Sequence, residues 1–234
     1  MAHGELREQA LLANREIVGA GLVVLTFGNA SAVDRAAGVM AIKPSGVPYD
    51  ELDPESMVVV DLESGEVREG AGRPSSDTPT HLVLYRAFEQ VGGIVHTHSP
   101  FATAWAQARR EIPCLGTTHA DHFRGAVPVT RLLGREEIEG DYERHTGEVI
   151  VETLAGLGLD PLERPAALVA CHGPFAWGAD AEHAVENAVA LEVVAESSFR
   201  SELLRPGVEQ IEPGLLDRHF LRKHGPGAYY GQPS

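Results

Sequence analysis

The chain has 234 residues, 43% hydrophobic and 23% charged, enough for one large domain or two small ones and too apolar for disorder as its main state. Its 34 Asp and Glu against 19 Lys and Arg give a net charge of −15, which argues against nucleic acid and anionic membrane as partners. Any anionic substrate must therefore meet a locally positive site, made by a metal ion or by backbone amides. Two cysteines, Cys114 and Cys171, are too few for a disulfide scaffold. With a polar N-terminus and an apolar run at 21–27 too brief to span a bilayer, a cytoplasmic, reducing location is expected.

In chain order, Leu11, Leu12 and Ile17 share one side of a helix predicted over 6–18. A strand is predicted over 22–27, ending at Gly28-Asn29, and a second over 39–42, ending in Lys43-Pro44-Ser45-Gly46. A third covers 57–61, with Ser64-Gly65 as a hairpin turn before 66–68. Thr78 as N-cap and Pro79 as first residue start a helix over 80–90. Strands are then expected at 93–99, 127–130 and 166–171, and helices at 102–109, 142–157 and 181–204. Strands outnumber and alternate with helices, so the class is α/β or α+β. The tail, 217–234, carries Arg218, Arg222, Lys223, two His and Tyr229-Tyr230 and receives no element.

The sharpest chemical feature is His96-Thr97-His98. On a strand, residues two apart face the same way, so both imidazoles can grip one ion. Alone, the pair could equally be two half-buried histidines bonded to neighbours. His172, at the end of the apolar run 166–171 and before a Gly173-Pro174 turn, adds a third nitrogen. Three His from two strand ends suit a divalent ion with an open position: zinc by default, with manganese or cobalt also fitting. Ser75-Ser76-Asp77-Thr78-Pro79 precedes a helix N-terminus, where hydroxyls and free amides suit a phosphate; Asp77 could also reach the metal. Read alone, that segment is simply an N-cap. Gly28-Asn29 and Lys43 to Gly46 are weaker anion candidates, since a strand-end glycine is usually only a turn residue. Asp121, within Thr117-Thr118-His119-Ala120-Asp121-His122, could be a general base, although by itself the stretch reads as an exposed loop.

Together these segments resemble the L-ribulose-5-phosphate 4-epimerases of the class II aldolase/adducin-head superfamily. The matching stretches, in order, are Leu-Thr-Phe-Gly-Asn-Ala-Ser-Ala-Val-Asp from Leu25 and Ile-Lys-Pro-Ser-Gly-Val from Ile42. Next come Pro-Ser-Ser-Asp-Thr-Pro-Thr-His from Pro74 and Gly-Gly-Ile-Val-His-Thr-His-Ser from Gly92. Gly-Thr-Thr-His-Ala-Asp from Gly116, His-Gly-Pro-Phe-Ala-Trp-Gly from His172 and Leu-Arg-Lys-His-Gly from Leu221 complete the set.

The resemblance implies one α/β domain over 1–234, a three-layer α/β/α class II aldolase-like fold with a central β-sheet flanked by helices. It further implies a homotetramer with active sites between subunits, a phosphorylated ketopentose substrate, and arabinose use as the metabolic setting. Metal ligands carry over to His96, His98 and His172, with Asp77 the carboxylate beside the metal. Phosphate-binding positions carry over to Asn29, Ser45, Gly46, Ser75 and Ser76, with Lys43 nearby. Asp121 and Tyr230 match an acid/base pair, Tyr230 reaching in from the adjacent subunit, and His219 matches a further site residue. The implied chemistry is retro-aldol cleavage of C3–C4, rotation of the tethered fragment and re-addition, which inverts C4. Two other activities stay open: an aldolase that releases its fragments, disfavoured by Asp77 in place of Glu, and a non-catalytic interaction module. Cys171, His122 and Pro233-Ser234 depart from the familiar pattern. Cys171, next to His172 on an extended segment, is expected to be buried packing rather than a ligand, and His122 to perturb Asp121 slightly.

Overall fold

A computed structural model describes residues 3–229. The chain opens with α1 (Gly4–Gly19), followed by β1 (Asn29–Asp34) and β2 (Val39–Ile42). A 3₁₀ turn (Tyr49–Glu51) leads to β3 (Val58–Asp61), β4 (Val67–Glu69), α2 (Thr78–Ala87), β5 (Gly93–His96) and α3 (Pro100–Ala108). Then come α4 (Thr117–Ala120), α5 (Arg135–Glu139), α6 (Tyr142–Gly156), β6 (Ala166–Leu168), β7 (Pro174–Gly178), α7 (Ala181–Leu204) and α8 (Pro213–His224).

The strands form one sheet in the order β4-β3-β2-β1-β5-β7-β6, with every pairing antiparallel. Side chains alternate across it with period two. Ala30, Ala32, Ala41, Val59, Val95 and Ala176 face one core shared with α1, α3 and α7. Met40, Ile42, Val58, Val60, Ile94, Phe175 and Trp177 face the other, shared with α2 and α6. The sheet is thus the middle of three layers, as expected.

Several local expectations fail for identifiable reasons. Residues 22–27 form no strand: Val24, Leu25 and Phe27 are exposed and Leu25 sits at φ 56°, inside a turn. The first strand is instead Asn29–Asp34, whose small residues carry little apolar signal. Ala30 is small because α1 lies on it, and the buried Asn14 amide bonds both its N–H and its C=O. α2 starts one residue earlier than expected, with Asp77 in the N-cap position, and ends at Ala87. Thr78 spends its hydroxyl on Ser75 O, at 2.7 Å. β5 stops at His96, short of His98, and 127–130 makes only isolated bridges, from Val127 to Ile112 and from Val129 to Leu168. The run 166–171 is strand only to Leu168. Hydropathy alone misses β7, which follows the turn. Helices in fact outnumber strands among the described residues, because α4, α5 and α8 were unassigned. For α8 a start signal was present: Pro213 lies in its first turn, and the Glu212 carboxylate accepts from Leu215 N–H at 3.0 Å. Tyr230 falls outside the described residues.

The N-terminus of α7 rests directly on the sheet. Gly93 and Gly178 are cross-strand partners, and a Cβ on Gly93 would meet Ala181 Cα and lie 2.5 Å from Asp180 O. These contacts are backbone, which cannot swing aside. Gly93→Ala is expected to cost about 3 kcal/mol as overpacking, lowering the thermal midpoint by roughly 6–12 °C for a domain of this size. Gly156→Ala, in open space at the end of α6, should shift the midpoint by no more than ~2 °C. Thermal unfolding of the two variants checks both.

Candidate active site

The fold brings one row of the sheet to a common edge. Asn29 opens β1, His96 closes β5 and Phe175 lies on β7, and the register pairs Asn29 with His96 and His96 with Phe175. Beside this row lie the end of β2, continuing into Lys43, and the N-terminus of α2. Together they form a cleft of about 400 Å³. Its walls include Gly28, Asn29, Lys43, Ser45, Gly46, Ser75, Ser76, Asp77, His96, His98, Tyr142, Glu143 and His172.

Three imidazoles meet at its floor. His96, His98 and His172 each offer a ring nitrogen, all within 4.8 Å of one another. His96 is 1% exposed and stacks on Phe175. Its Nδ1–H donates to Pro174 O at 2.9 Å, which leaves the Nε2 lone pair free and facing His98 Nε2 at 3.1 Å. Although β5 ends before His98, the spacing read from sequence still joins the two rings. His172 sits on the tight turn between β6 and β7. There Gly173 packs so closely on the 96–98 segment that a Cβ would lie 2.9 Å from Thr97 O.

Burial lowers the pKa of all three rings, and that of His172 falls to about 4, with His96 and His98 adding to the effect. They are therefore neutral at pH 7, the state that ligates metal. The Asp77 Oδ2 atom stands 4.0 Å from His96 Nε2. Burial opposes its ionisation, but charge on His96 and His81 in the acid range where it titrates, together with the Asn29 amide, outweighs that and holds the carboxyl below its usual range. Three converging neutral nitrogens with a carboxylate beside them fit a divalent ion.

The other end of the cleft carries Asn29, Lys43 and the N-terminus of α2. Asn29 Nδ2 donates to Ser75 Oγ at 3.0 Å and Asp77 Oδ2 at 2.7 Å, and its buried Oδ1 has no hydrogen-bond partner among the described residues. Lys43 is 2% exposed and burial lowers its pKa. Beneath Asp77, His81 is fully buried and neutral, its Nδ1 bonded to Ser31 Oγ, which bonds in turn to Tyr85. Sequence reasoning missed His81, as well as Tyr142 and Glu143. Tyr142 OH lies 3.4 Å from His172 Nδ1. Nothing local marks Tyr142 and Glu143; they reach the cleft only because α6 begins there.

Two assigned residues lie elsewhere. Asp121, at the end of α4, and His219, on α8, do not line this cleft. Asp121 accepts from His219 Nδ1 at 3.0 Å and from Arg222 at 2.7 and 3.0 Å. Burial is again outweighed, here by Arg222 and His219, so its carboxyl is held low. The segment expected to be an exposed loop is thus a short helix docked on α8, with His119 buried. Cys171 also departs from expectation. It is exposed, at φ 64° in the turn, rather than buried. A five-residue reversal at 169–173, closed by Val169 N–H to Gly173 O, replaces the extended segment on which that expectation rested.

The model of the class II aldolase and adducin N-terminal domain matches residues 8–199. The chain belongs to this family. Proteins named L-ribulose-5-phosphate 4-epimerase UlaF from Salmonella paratyphi A and Salmonella typhi are 53% identical over 228 residues, covering 97% of this chain and 99% of each relative. Among solved structures of the family, an L-fuculose 1-phosphate aldolase superposes with a TM-score of 0.78 at 24% identity, over 94% of this chain and 96% of its own, a likeness of fold. The L-fuculose-1-phosphate aldolase from Thermus thermophilus gives 0.66 at 25%, over 86% and 97%.

If the cluster holds the ion, elemental analysis of protein purified without chelator should find about one divalent ion per chain. His172→Ala should lose it on dialysis. Cys171→Ser should keep it, because the exposed thiol is not in the cluster.

Proposed function

We propose that this chain is an L-ribulose-5-phosphate 4-epimerase, interconverting L-ribulose 5-phosphate and D-xylulose 5-phosphate. The observation that carries the reading is one cleft holding both a three-histidine cluster beside Asp77 and a wall with Lys43, Ser75, Ser76 and the N-terminus of α2, in a chain 53% identical to proteins of that name. The whole of 1–234 is taken as one catalytic domain.

C4 of the sugar bears no acidic proton, so its inversion needs the C3–C4 bond to break and re-form. His96, His98, His172 and Asp77 would hold a divalent ion, zinc first, with manganese or cobalt compatible with the same donors. When bound, that ion supplies Lewis acidity at the carbonyl end of the sugar. Lys43, Asn29, Ser45, Gly46, Ser75 and Ser76 grip the phosphate, so the cleaved two-carbon fragment turns over without leaving. A base must take the proton of the C4 hydroxyl before cleavage, and an acid must return one after re-addition from the other face. Asp121 and Tyr230 take these roles, with His219 and Arg222 keeping Asp121 ionised.

Assembly as a homotetramer, with Asp121, His219 and Tyr230 serving the cleft of a neighbouring copy, belongs to the same proposal. Its support is that Asp121 and His219 stand on the α4–α8 face and not around their own chain's cleft. A cytoplasmic setting is also proposed. Both cysteines are free, and no helix of the described residues is long and apolar enough to cross a membrane.

Incubation with L-ribulose 5-phosphate, before and after chelator treatment, tests the reading. Metal-dependent appearance of D-xylulose 5-phosphate is expected. Accumulation of dihydroxyacetone and glycolaldehyde phosphate without the epimer would replace the epimerase with an aldolase. Neither product, with metal verified as bound, would overturn the substrate assignment.

A further inference from the structure

Among the described residues, Lys43 is a buried ammonium without a counter-ion. Its Nζ donates to Pro44 O at 3.3 Å and lies over the face of Tyr49, 4.8 Å from the ring centroid. A desolvated cation over an aromatic face is held by the ring's quadrupole, which attracts it without neutralising it. Its charge stays available to an anion in the cleft.

Tyr49 touches a second part of the site. It is 9% exposed on the 3₁₀ turn, and its hydroxyl donates to Phe27 O at 3.0 Å and Gly28 O at 2.9 Å. Phe27 and Gly28 both line the cleft. Gly28, at φ 78°, lies flush on β5, where a Cβ would stand 2.7 Å from His96 O and 3.4 Å from Thr97 Cα. A left-handed residue without a side chain is needed there. One side chain therefore links the cation at the anion end to the turn that leans on the histidine cluster.

We propose that Tyr49 is a positioning residue for phosphate binding: its ring holds the Lys43 ammonium at the cleft, and its hydroxyl fixes the Phe27–Gly28 turn beside it. The inference deepens the phosphate-binding part of the proposed function and rests on it. Its two halves separate chemically. Tyr49→Phe keeps the ring and loses the hydroxyl, whereas Tyr49→Leu loses both. The ring acts through Lys43, so its contribution should vanish where Lys43 is already Met.

The test is calorimetric titration of the metal-loaded protein with inorganic phosphate, paired with KM and kcat for L-ribulose 5-phosphate. Tyr49→Leu is expected to weaken phosphate binding and raise KM by about tenfold each, the scale of one desolvated cation–π contact, with a smaller change in kcat. Tyr49→Phe should show a lesser, about two- to threefold, loss, as for one neutral hydrogen bond at the weak end of its range. In a Lys43→Met background, Tyr49→Leu should weaken binding no further than Tyr49→Phe does. Thermal midpoints identify any variant that fails to fold, and Tyr49→Phe, nearly isosteric, stays informative if Tyr49→Leu does so. Phosphate binding within twofold of the unaltered protein in the folded single variants overturns the inference alone. An equal loss in kcat with KM unchanged also overturns it. Failure of the unaltered protein to bind phosphate overturns both the inference and the phosphate end of the proposed function.

Discussion

The site depends on the antiparallel register that sets Asn29, His96 and Phe175 in one row at one edge of the sheet. Once β1, β5 and β7 are paired in that register, the row is fixed by backbone hydrogen bonds. A one-residue slip would send His96 to the opposite face. The two flanking turns can then close over the row only because they lack side chains where they touch it. Gly28 abuts His96 O and Gly173 abuts Thr97 O. The convergence of the three imidazoles is consequently a product of sheet register and two glycines. The histidines supply the lone pairs, but β5 alone does not aim them.

Electrostatics follows from that geometry. A chain of net charge −15 has to receive an anionic sugar phosphate, on the proposed reading, and global charge works against it. The cleft answers locally. Burial keeps its imidazoles neutral, so they ligate rather than repel a cation. The same burial would protonate Asp77, but the Asn29 amide and, in acid, charge on the neighbouring histidines overcome it. Lys43 keeps its positive charge unneutralised against an aromatic face. Each group is thereby held in the charge state that its proposed role would need, using neighbours already required by the fold.

Much of this was legible in the sequence, and what was not has physical causes. His96, His98 and His172 were readable because imidazoles beside turns are chemically unusual, and that signal survives errors in strand ends. That Ser75, Ser76, Lys43 and Asn29 share the cleft was readable through a helix N-terminus and through resemblance. By contrast, β1 hid because alanines and serines under a helix carry no hydropathy signal, while exposed Val24, Leu25 and Phe27 mimicked a strand. Cys171 was misjudged because an extended-segment rule was applied to a left-handed turn. Tyr142, Glu143 and His81 reach the site through long-range packing of α2 and α6 that no local pattern encodes.

The position of Asp121 imposes a last constraint on the proposed chemistry. Inverting C4 by cleavage requires proton transfer on both faces of the re-forming bond, while the phosphate must stay gripped throughout. A single wall of groups cannot grip one end of the sugar and also address both faces of its reacting carbon. Asp121 is already ionised by Arg222 and His219 on a surface apart from the cleft. On the proposed reading it would serve as the base only where another copy brings substrate to it. On the proposed reading, the histidines and the α2 N-terminus share one sheet edge while Asp121 and His219 stand on the α4–α8 face, so a second copy would be needed to complete the site. The separation of these groups within one chain is what that reading has to account for, and an assembly that brings the α4–α8 face of one copy to the cleft of another would do so.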